Sequence, residues 1–351
     1  MTSTFLHSTP AEIDFNSPRV AALTAWLKQV VREDYVLSIA SADASFRRYF
    51  RITTASGTRI VMDAPPAHED CRPFVKVAGM MAAAGLNAPK LLAQDLDQGF
   101  LLLTDLGTQT LLDVLSEDNV EAYFRRAGDE LIKWQLASKP GTLPPYDDAL
   151  LKREVNLFPD WYIAKHLNVT LSATQQSSLL ASFDTILSNN LAQSRVYVHR
   201  DFTPRNLMVP VSMDRAPGVL DFQDAVEGPI GYDIASIYRE AFISWDEALV
   251  LDGTIRYWEK AKKAGLPVPA DFSDFYQQVE WMGLQRHLKI LGIFARLNYR
   301  DQKPRYLADT PRFVTYVRKV GERYQELWPL IRLFDALKID NGVVRQSGVS
   351  F

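Results

Sequence analysis

Val196-Tyr197-Val198-His199-Arg200-Asp201-Phe202-Thr203-Pro204-Arg205-Asn206-Leu207-Met208-Val209, then a Pro/Ser/Asp/Arg turn and Gly218-Val219-Leu220-Asp221-Phe222-Gln223-Asp224, is the stretch around which this chain is arranged. Three short apolar runs, at 196–198, 207–209 and 218–220, are bounded by turn residues and read as buried strands. Their ends deliver His199, Asp201, Asn206 and Asp221 to one place.

Those residue types suit phosphoryl transfer from a nucleotide. The chemistry needs a carboxylate to accept the proton of the attacking hydroxyl, and oxygen ligands for the cation that bridges the phosphates. Asp201 is the candidate base. Asn206 and Asp221 offer the hard oxygens that Mg²⁺ prefers, the ion keeping waters and phosphate oxygens at its other positions. His199 reads as a packing and hydrogen-bonding support.

His199-Arg200-Asp201 with Asn206, then Asp221-Phe222, resembles the catalytic and metal-binding loops of the protein-kinase-like fold. The continuation Gln223-Asp224-Ala225-Val226-Glu227-Gly228-Pro229-Ile230-Gly231-Tyr232-Asp233 is similar to its aminoglycoside phosphotransferase branch. Within that branch, the runs at 153–162 and 295–301 resemble bacterial anomeric sugar kinases, which phosphorylate N-acetylmuramate and N-acetylglucosamine at C1 in peptidoglycan recycling. The resemblance implies an α+β, two-lobed fold: a small antiparallel-sheet lobe over 1–104, a hinge at 105–109 and a mainly helical lobe over 110–351. It also implies ATP and Mg²⁺ as cofactors, backbone contacts to the adenine around Asp105 and Leu106, and acceptor contacts from Glu154, Asn156, Trp161, Arg205 and Arg300.

Composition bounds the remainder. A chain of 351 residues is long for one compact core, so two lobes are expected. Its hydrophobic content of 47% and charged content of 23% are ordinary for a globular protein, and a net charge of −3 gives no reason to expect nucleic-acid or membrane partners. The single cysteine, Cys71, excludes an intrachain disulfide and is compatible with a reducing cytosol. Neither a signal peptide nor an apolar run long enough to span a bilayer is legible, so a cytoplasmic location is expected.

Ser17-Pro18 opens an amphipathic helix carrying Val20, Leu23, Trp26 and Leu27. Strands at 35–40, 46–53 and 58–64 make an antiparallel meander, followed by a helix at 74–84 and strands at 89–94 and 100–103. The loop at 41–45 lies where the fold covers the nucleotide phosphates, yet it holds no glycine. Its contacts fall to backbone N–H groups, to the hydroxyls of Ser41 and Ser45, or to Arg47 and Arg48, which read equally well as an exposed strand pair. Asp63 stands about where such kinases carry the lysine that pairs the phosphates, and a carboxylate there repels them. The pattern is explained by a shifted alignment, by Arg47, Arg48 or Arg59 acting instead, or by a nucleotide-binding pseudokinase.

From residue 110 the periodicity is helical: 111–135, 151–167, 175–191, 232–244, 248–264, 272–299 and 312–327. Asp233 is either a helix cap or a buried acceptor holding the catalytic loop. Between Arg286 and Arg312 seven Lys/Arg face only Asp301 and Asp309. That balance fits a neutral or anionic acceptor better than a polycationic aminoglycoside, and a lactyl carboxylate is suited to an Arg clamp. Asp224 is a candidate acceptor for sugar hydroxyls. A small-molecule sugar is the expected partner; another small alcohol (an aminoglycoside, choline or homoserine) remains the alternative acceptor.

Overall fold

The computed structural model describes residues 17–42 and 46–340. By its internal contacts the chain divides into two compact units, Met1–Gln109 with Met208–Asp224, and Thr110–Leu207 with Ala225–Phe351. The segment Met208–Asp224, read in sequence as part of the helical lobe, thus belongs to the first unit.

The first unit is a five-stranded antiparallel sheet in the order β1-β2-β3-β5-β4, formed by β1 (Val36–Ala42), β2 (Arg48–Thr54), β3 (Gly57–Asp63), β4 (Leu91–Asp95) and β5 (Phe100–Thr104). Both tight connections need glycine. Gly57 (φ 129°) closes the β2–β3 hairpin, and Gly99 (φ 71°) brings its Cα so close to Ala64 that a Cβ would lie 1.9 Å from that carbonyl oxygen.

Helix α1 (Pro18–Val30) starts as the sequence predicts: the Ser17 side chain accepts the N–H of Val20, and Pro18 occupies the first helical position. Its Leu23, Trp26 and Leu27 bury against Phe50, Ile52, Val61, Phe100 and Leu102. Full burial of each large side chain stabilises by roughly 1.5–3 kcal/mol. Strand alternation therefore places Arg48, Phe50, Ile52, Val61 and Asp63 on the helix-covered face and Met62 on the other. Helix α2 (Arg72–Ala83) packs Phe74 on Phe222, with ring centroids 4.8 Å apart.

The second unit is mainly helical: α3 (Leu111–Val114), α4 (Val120–Leu136), α5 (Asp148–Val155), α6 (Ala173–Ala192), α7 (Tyr232–Tyr238), α8 (Glu247–Lys263), α9 (Phe272–Tyr299), α10 (Thr310–Arg323) and α11 (Trp328–Ala336). A two-stranded ladder of β6 (Arg195–Val198) and β9 (Val226–Pro229) brackets the catalytic segment. Between them lie the short strands β7 (Leu207–Met208) and β8 (Gly218–Val219). The 28-residue α9 is buried on most of its circumference, from Phe275 to Ala295, and is the axis of this unit.

Three helical stretches differ from expectation, the first being 111–135, which divides into α3 and α4 with residues 115–119 between them. The helix expected over 151–167 ends at Val155 and continues as a π-helical stretch, Phe158–His166. Pro159 has no N–H to donate and its ring crowds the preceding turn, so the backbone widens there. Gly292 accepts the widened turn: a Cβ would sit 2.2 Å from the carbonyl carbon of Leu157. The helix expected over 232–244 stops at Tyr238, leaving residues 239–246 as an irregular segment before the Asp246 cap of α8.

Candidate active site

The polar residues of the catalytic segment are held by two buried carboxylates of the second unit. Asp233, fully buried in the first turn of α7, accepts the backbone N–H of His199 at 2.7 Å and of Arg200 at 3.1 Å. Of the two readings of Asp233, the structure selects the buried acceptor. Burial pushes its carboxyl up to about 7, against the pull of those two N–H groups.

Arg200 adopts a left-handed backbone (φ 76°), strained for any residue with a Cβ. Its side chain turns inward and donates to Glu154 at 2.6 Å. Glu154 also accepts the Tyr146 hydroxyl and lies 3.2 Å from Lys289 Nζ, which donates to the Tyr232 hydroxyl at 3.1 Å. Burial pushes the Glu154 carboxyl up, but Lys289 and Arg200 outweigh it and hold it below the usual carboxylate range. The expectation that Glu154 contacts the acceptor is corrected here: its side chain is 8% exposed and both oxygens are engaged inside the protein.

Within that frame Asp201 is exposed at the loop's tip. His199 is buried, its Nδ1 accepting the Asp201 N–H at 3.3 Å and its ring edge-on to Phe202, which fits the supporting role read from sequence. Asn206 donates its side-chain amide to the Asp201 carbonyl at 2.9 Å, an assignment that fixes which end of the amide carries the oxygen.

Asp221 and Asp224 lie in the first unit, both exposed. Asp221 is the second left-handed non-glycine of this segment (φ 60°), and Gln223 donates to its carboxylate at 2.8 Å. The buried Phe222 anchors this turn on α2.

Asp63 is a further correction. It is fully buried on the α1 face of the sheet, bonded by Arg19 Nε at 2.8 Å and Arg48 Nε at 3.0 Å. A carboxylate between two guanidiniums is neutralised, so the repulsion expected from it is absent. The cations considered as substitutes also have acidic partners: Arg48 takes Asp63, Arg47 takes Glu69 at 3.2 Å and Arg59 takes Glu33 at 3.3 Å. Ser45 lies outside the described residues. The Asp105 carboxylate is engaged by Arg51 Nε at 2.6 Å and by the Gly107 N–H at 2.9 Å. Burial raises it, and those bonds hold it below its ordinary value. The strand after the Met208 turn backs onto Leu106, whose Cδ1 would meet a Cβ at Gly218 at 2.8 Å.

The alignment of residues 36–272 with the model of one family, described as the phosphotransferase enzyme family, decides the assignment. The chain belongs to the phosphotransferase enzyme family. A relative from Pseudomonas aeruginosa, named N-acetylmuramate/N-acetylglucosamine kinase, is 49% identical over 330 residues, spanning 91% of this chain and 97% of the relative. One of the same name from Neisseria meningitidis is 48% identical over 339 residues, spanning 95% and 99%. Among solved structures, a choline/ethanolamine kinase family protein from Mesorhizobium loti superposes with a TM-score of 0.60 at 15% identity, over 92% of this chain and 99% of its own. The GDP complex of wild-type aminoglycoside 2'-phosphotransferase-IIIa gives 0.58 at 12%, over 85% and 98%. The two-lobed, protein-kinase-like α+β fold read from the sequence is borne out.

The other expected acceptor contacts of this phosphotransferase are scattered through the second unit. Asn156 is half-buried at the end of α5, its carbonyl accepting the Asp160 N–H at 3.2 Å. Trp161 is half-buried in the π-helical stretch. Arg300 is exposed and paired with Asp301 at 2.7 Å, while Arg205 is exposed with its guanidinium 5.0 Å from the Phe242 ring centroid.

Sequence reading missed Arg19 and Arg51, and counted Lys289 in the basic run without its buried pairing to Glu154. Lys289 had a signal, since it interrupts the apolar run Leu288 to Leu291 on a helix that is otherwise buried. Arg19 and Arg51 had none, because their partners are 44 and 54 residues away.

Proposed function

We propose that this phosphotransferase moves the γ-phosphoryl group of ATP to the anomeric hydroxyl of N-acetylmuramate and N-acetylglucosamine, in the cytoplasm, during peptidoglycan recycling. The observation that carries the chemistry is Asp201: an exposed carboxylate on a loop whose backbone is clamped by Asp233 and whose neighbour Arg200 is locked by Glu154. The relatives' shared name carries the acceptor. Among the described residues no helix is long and apolar enough to cross a membrane.

In the proposed reaction Asp201 takes the proton of the C1 hydroxyl. That oxygen bonds to the γ-phosphorus as the bond to the β–γ bridging oxygen breaks, leaving ADP and a sugar 1-phosphate. Asn206 and Asp221 are the residues to hold Mg²⁺, an amide and a carboxylate being the hard oxygen donors it prefers. Among the described residues no three His, Cys, Asp or Glu side chains cluster to hold a metal unaided, so the ion would draw its remaining ligands from phosphate and water. When bound, the cation offsets the charge that develops on the phosphates. Asp224 is the proposed hydrogen-bond acceptor for sugar hydroxyls. Ser45, Arg47, Arg48 and the backbone at Asp105 and Leu106 are proposed on the nucleotide side, with Asn156, Trp161, Arg205 and Arg300 on the acceptor side.

The test is ADP release with Mg·ATP over N-acetylmuramate, N-acetylglucosamine, glucosamine, kanamycin, choline and homoserine. Turnover is expected with the two N-acetylated sugars, giving an acid-labile product. Asp201→Asn should lower kcat by about 10²- to 10⁴-fold while nucleotide binding persists. Normal turnover by that variant would remove Asp201 as the base.

A further inference from the structure

The irregular segment that follows α7 gathers two arginines: Arg205, already proposed on the acceptor side, and Arg312, which the catalytic reading leaves without a role. Arg205, four residues beyond Asp201 in the same loop, lays its guanidinium over the half-buried Phe242 and makes no hydrogen bond or ion pair among the described residues. Arg312, near the start of α10, donates through Nη1 to the Ser244 hydroxyl at 3.0 Å, while its buried Nε has no partner. No carboxylate lies within ion-pairing distance of either guanidinium among the described residues, whereas Arg300 has Asp301.

Glu240, two residues before Phe242, is buried. One of its oxygens accepts the Ala241 N–H at 2.6 Å and the other has no partner. Burial pushes its carboxyl up, Arg286 and Arg205 oppose that push, and Asp201 adds to it, so the charges of the base, of Arg205 and of this carboxylate are felt together. Phe242 and Ser244 are two residues apart, which limits the distance between their Cα atoms to about 7 Å. Both arginines thus reach side chains of one short segment, Phe242–Ser244. Neither guanidinium has an ion pair among the described residues, although Asp309 acts on Arg312 and Glu240 on Arg205 at longer range, so each keeps N–H donors to offer an anion.

We infer that Arg205 and Arg312, at the two ends of Phe242–Ser244, form a subsite for the carboxylate of an acidic N-acetylated amino sugar, with the Phe242 ring as its apolar floor. The inference rests on the acceptor class proposed above and adds what separates the acidic acceptor from the neutral one: the carboxylate is read by arginines beside the loop that bears the base. Arg300, although it lies in the basic run of the sequence, is not part of it.

The experiment is kcat/KM for N-acetylmuramate and for N-acetylglucosamine in the parent, Arg205→Met, Arg312→Met, Arg312→Gln and Arg312→Lys. A lost charge-assisted contact should lower the N-acetylmuramate to N-acetylglucosamine ratio about ten- to a hundredfold, mostly through KM of the acidic sugar, and Arg312→Lys should restore part of it. A general loss of folding or of catalysis moves both sugars together and leaves the ratio unchanged, so a ratio within twofold of the parent in Arg205→Met and in both Arg312→Met and Arg312→Gln overturns the subsite. A parent that turns over neither sugar overturns the acceptor reading itself, and the subsite with it.

Discussion

Glu154→Gln removes one negative charge from beneath the catalytic loop and changes almost nothing in shape. In the native protein that carboxylate faces two cations, Arg200 at 2.6 Å and Lys289 at 3.2 Å, whose side chains are only 20% and 12% exposed. The amide can still accept from one donor, but both largely buried cations then lose the carboxylate they share. Breaking a buried pair by deleting one partner costs about 3–5 kcal/mol. The lower end is expected here, about 3 kcal/mol, because a hydrogen bond from Arg200 or Tyr146 survives and Lys289 can release its proton. The assay is guanidinium-induced unfolding at pH 7 followed by the helical signal, with kcat measured in parallel. Activity should fall as well, since the Glu154 contact holds Arg200 in its strained backbone conformation (φ 76°) one residue before Asp201. The double variant Glu154→Gln/Lys289→Met should be more stable than Glu154→Gln alone, because it removes the cation left uncompensated. If Glu154→Gln unfolds within about 0.5 kcal/mol of the parent, a change typical of an ordinary surface position, the buried-charge account of this loop is wrong.

Gly292→Ala should destabilise by about 1–3 kcal/mol in a thermal unfolding experiment, because its Cβ would overlap the Leu157 backbone where the π-helical stretch meets α9. The acid limb of stability should respond to Glu247: burial pushes its carboxyl up, but bonds and charge from Arg239, with Tyr276 and Arg323, hold it at about 2. A carboxylate held below its unfolded value of 4.5 stabilises the fold above that pH, and the contribution disappears as pH falls from about 4.5 towards 2. Unfolding midpoints measured across that window should flatten in Glu247→Gln; an unchanged slope counts against the Arg239–Glu247 pair.

Much of the architecture was legible because it is local. Short apolar runs bounded by turn residues marked every strand of the five-stranded sheet to within a few residues, and Ser17-Pro18 marked the start of α1. The 3.6-residue period gave α9 its full span, from Phe272 to Tyr299, and Asp201, Asn206 and Asp221 stood out because type and spacing coincide on short buried strands. The break at Pro159 was visible as a proline, but its outcome was not. Whether a helix ends, kinks or widens depends on what packs against it, and here a glycine more than a hundred residues later leaves room for the wider turn.

The sequence by itself thus determined the order of elements, the loop that bears the candidate base, and the kind of chemistry those side chains allow, since backbone propensity and apolar period act over a few residues. Tertiary structure alone decided what the charges do. Asp63 read as a repulsive carboxylate and is a neutralised one, Glu154 read as an acceptor contact and is the buried anchor of Arg200, and Arg300 is ion-paired to its own acid while Arg205 has no ion pair among the described residues. The physical reason is that the state of a charge depends on burial and on partners within a few ångströms, and folding brings those partners from 44, 46 and 54 residues away.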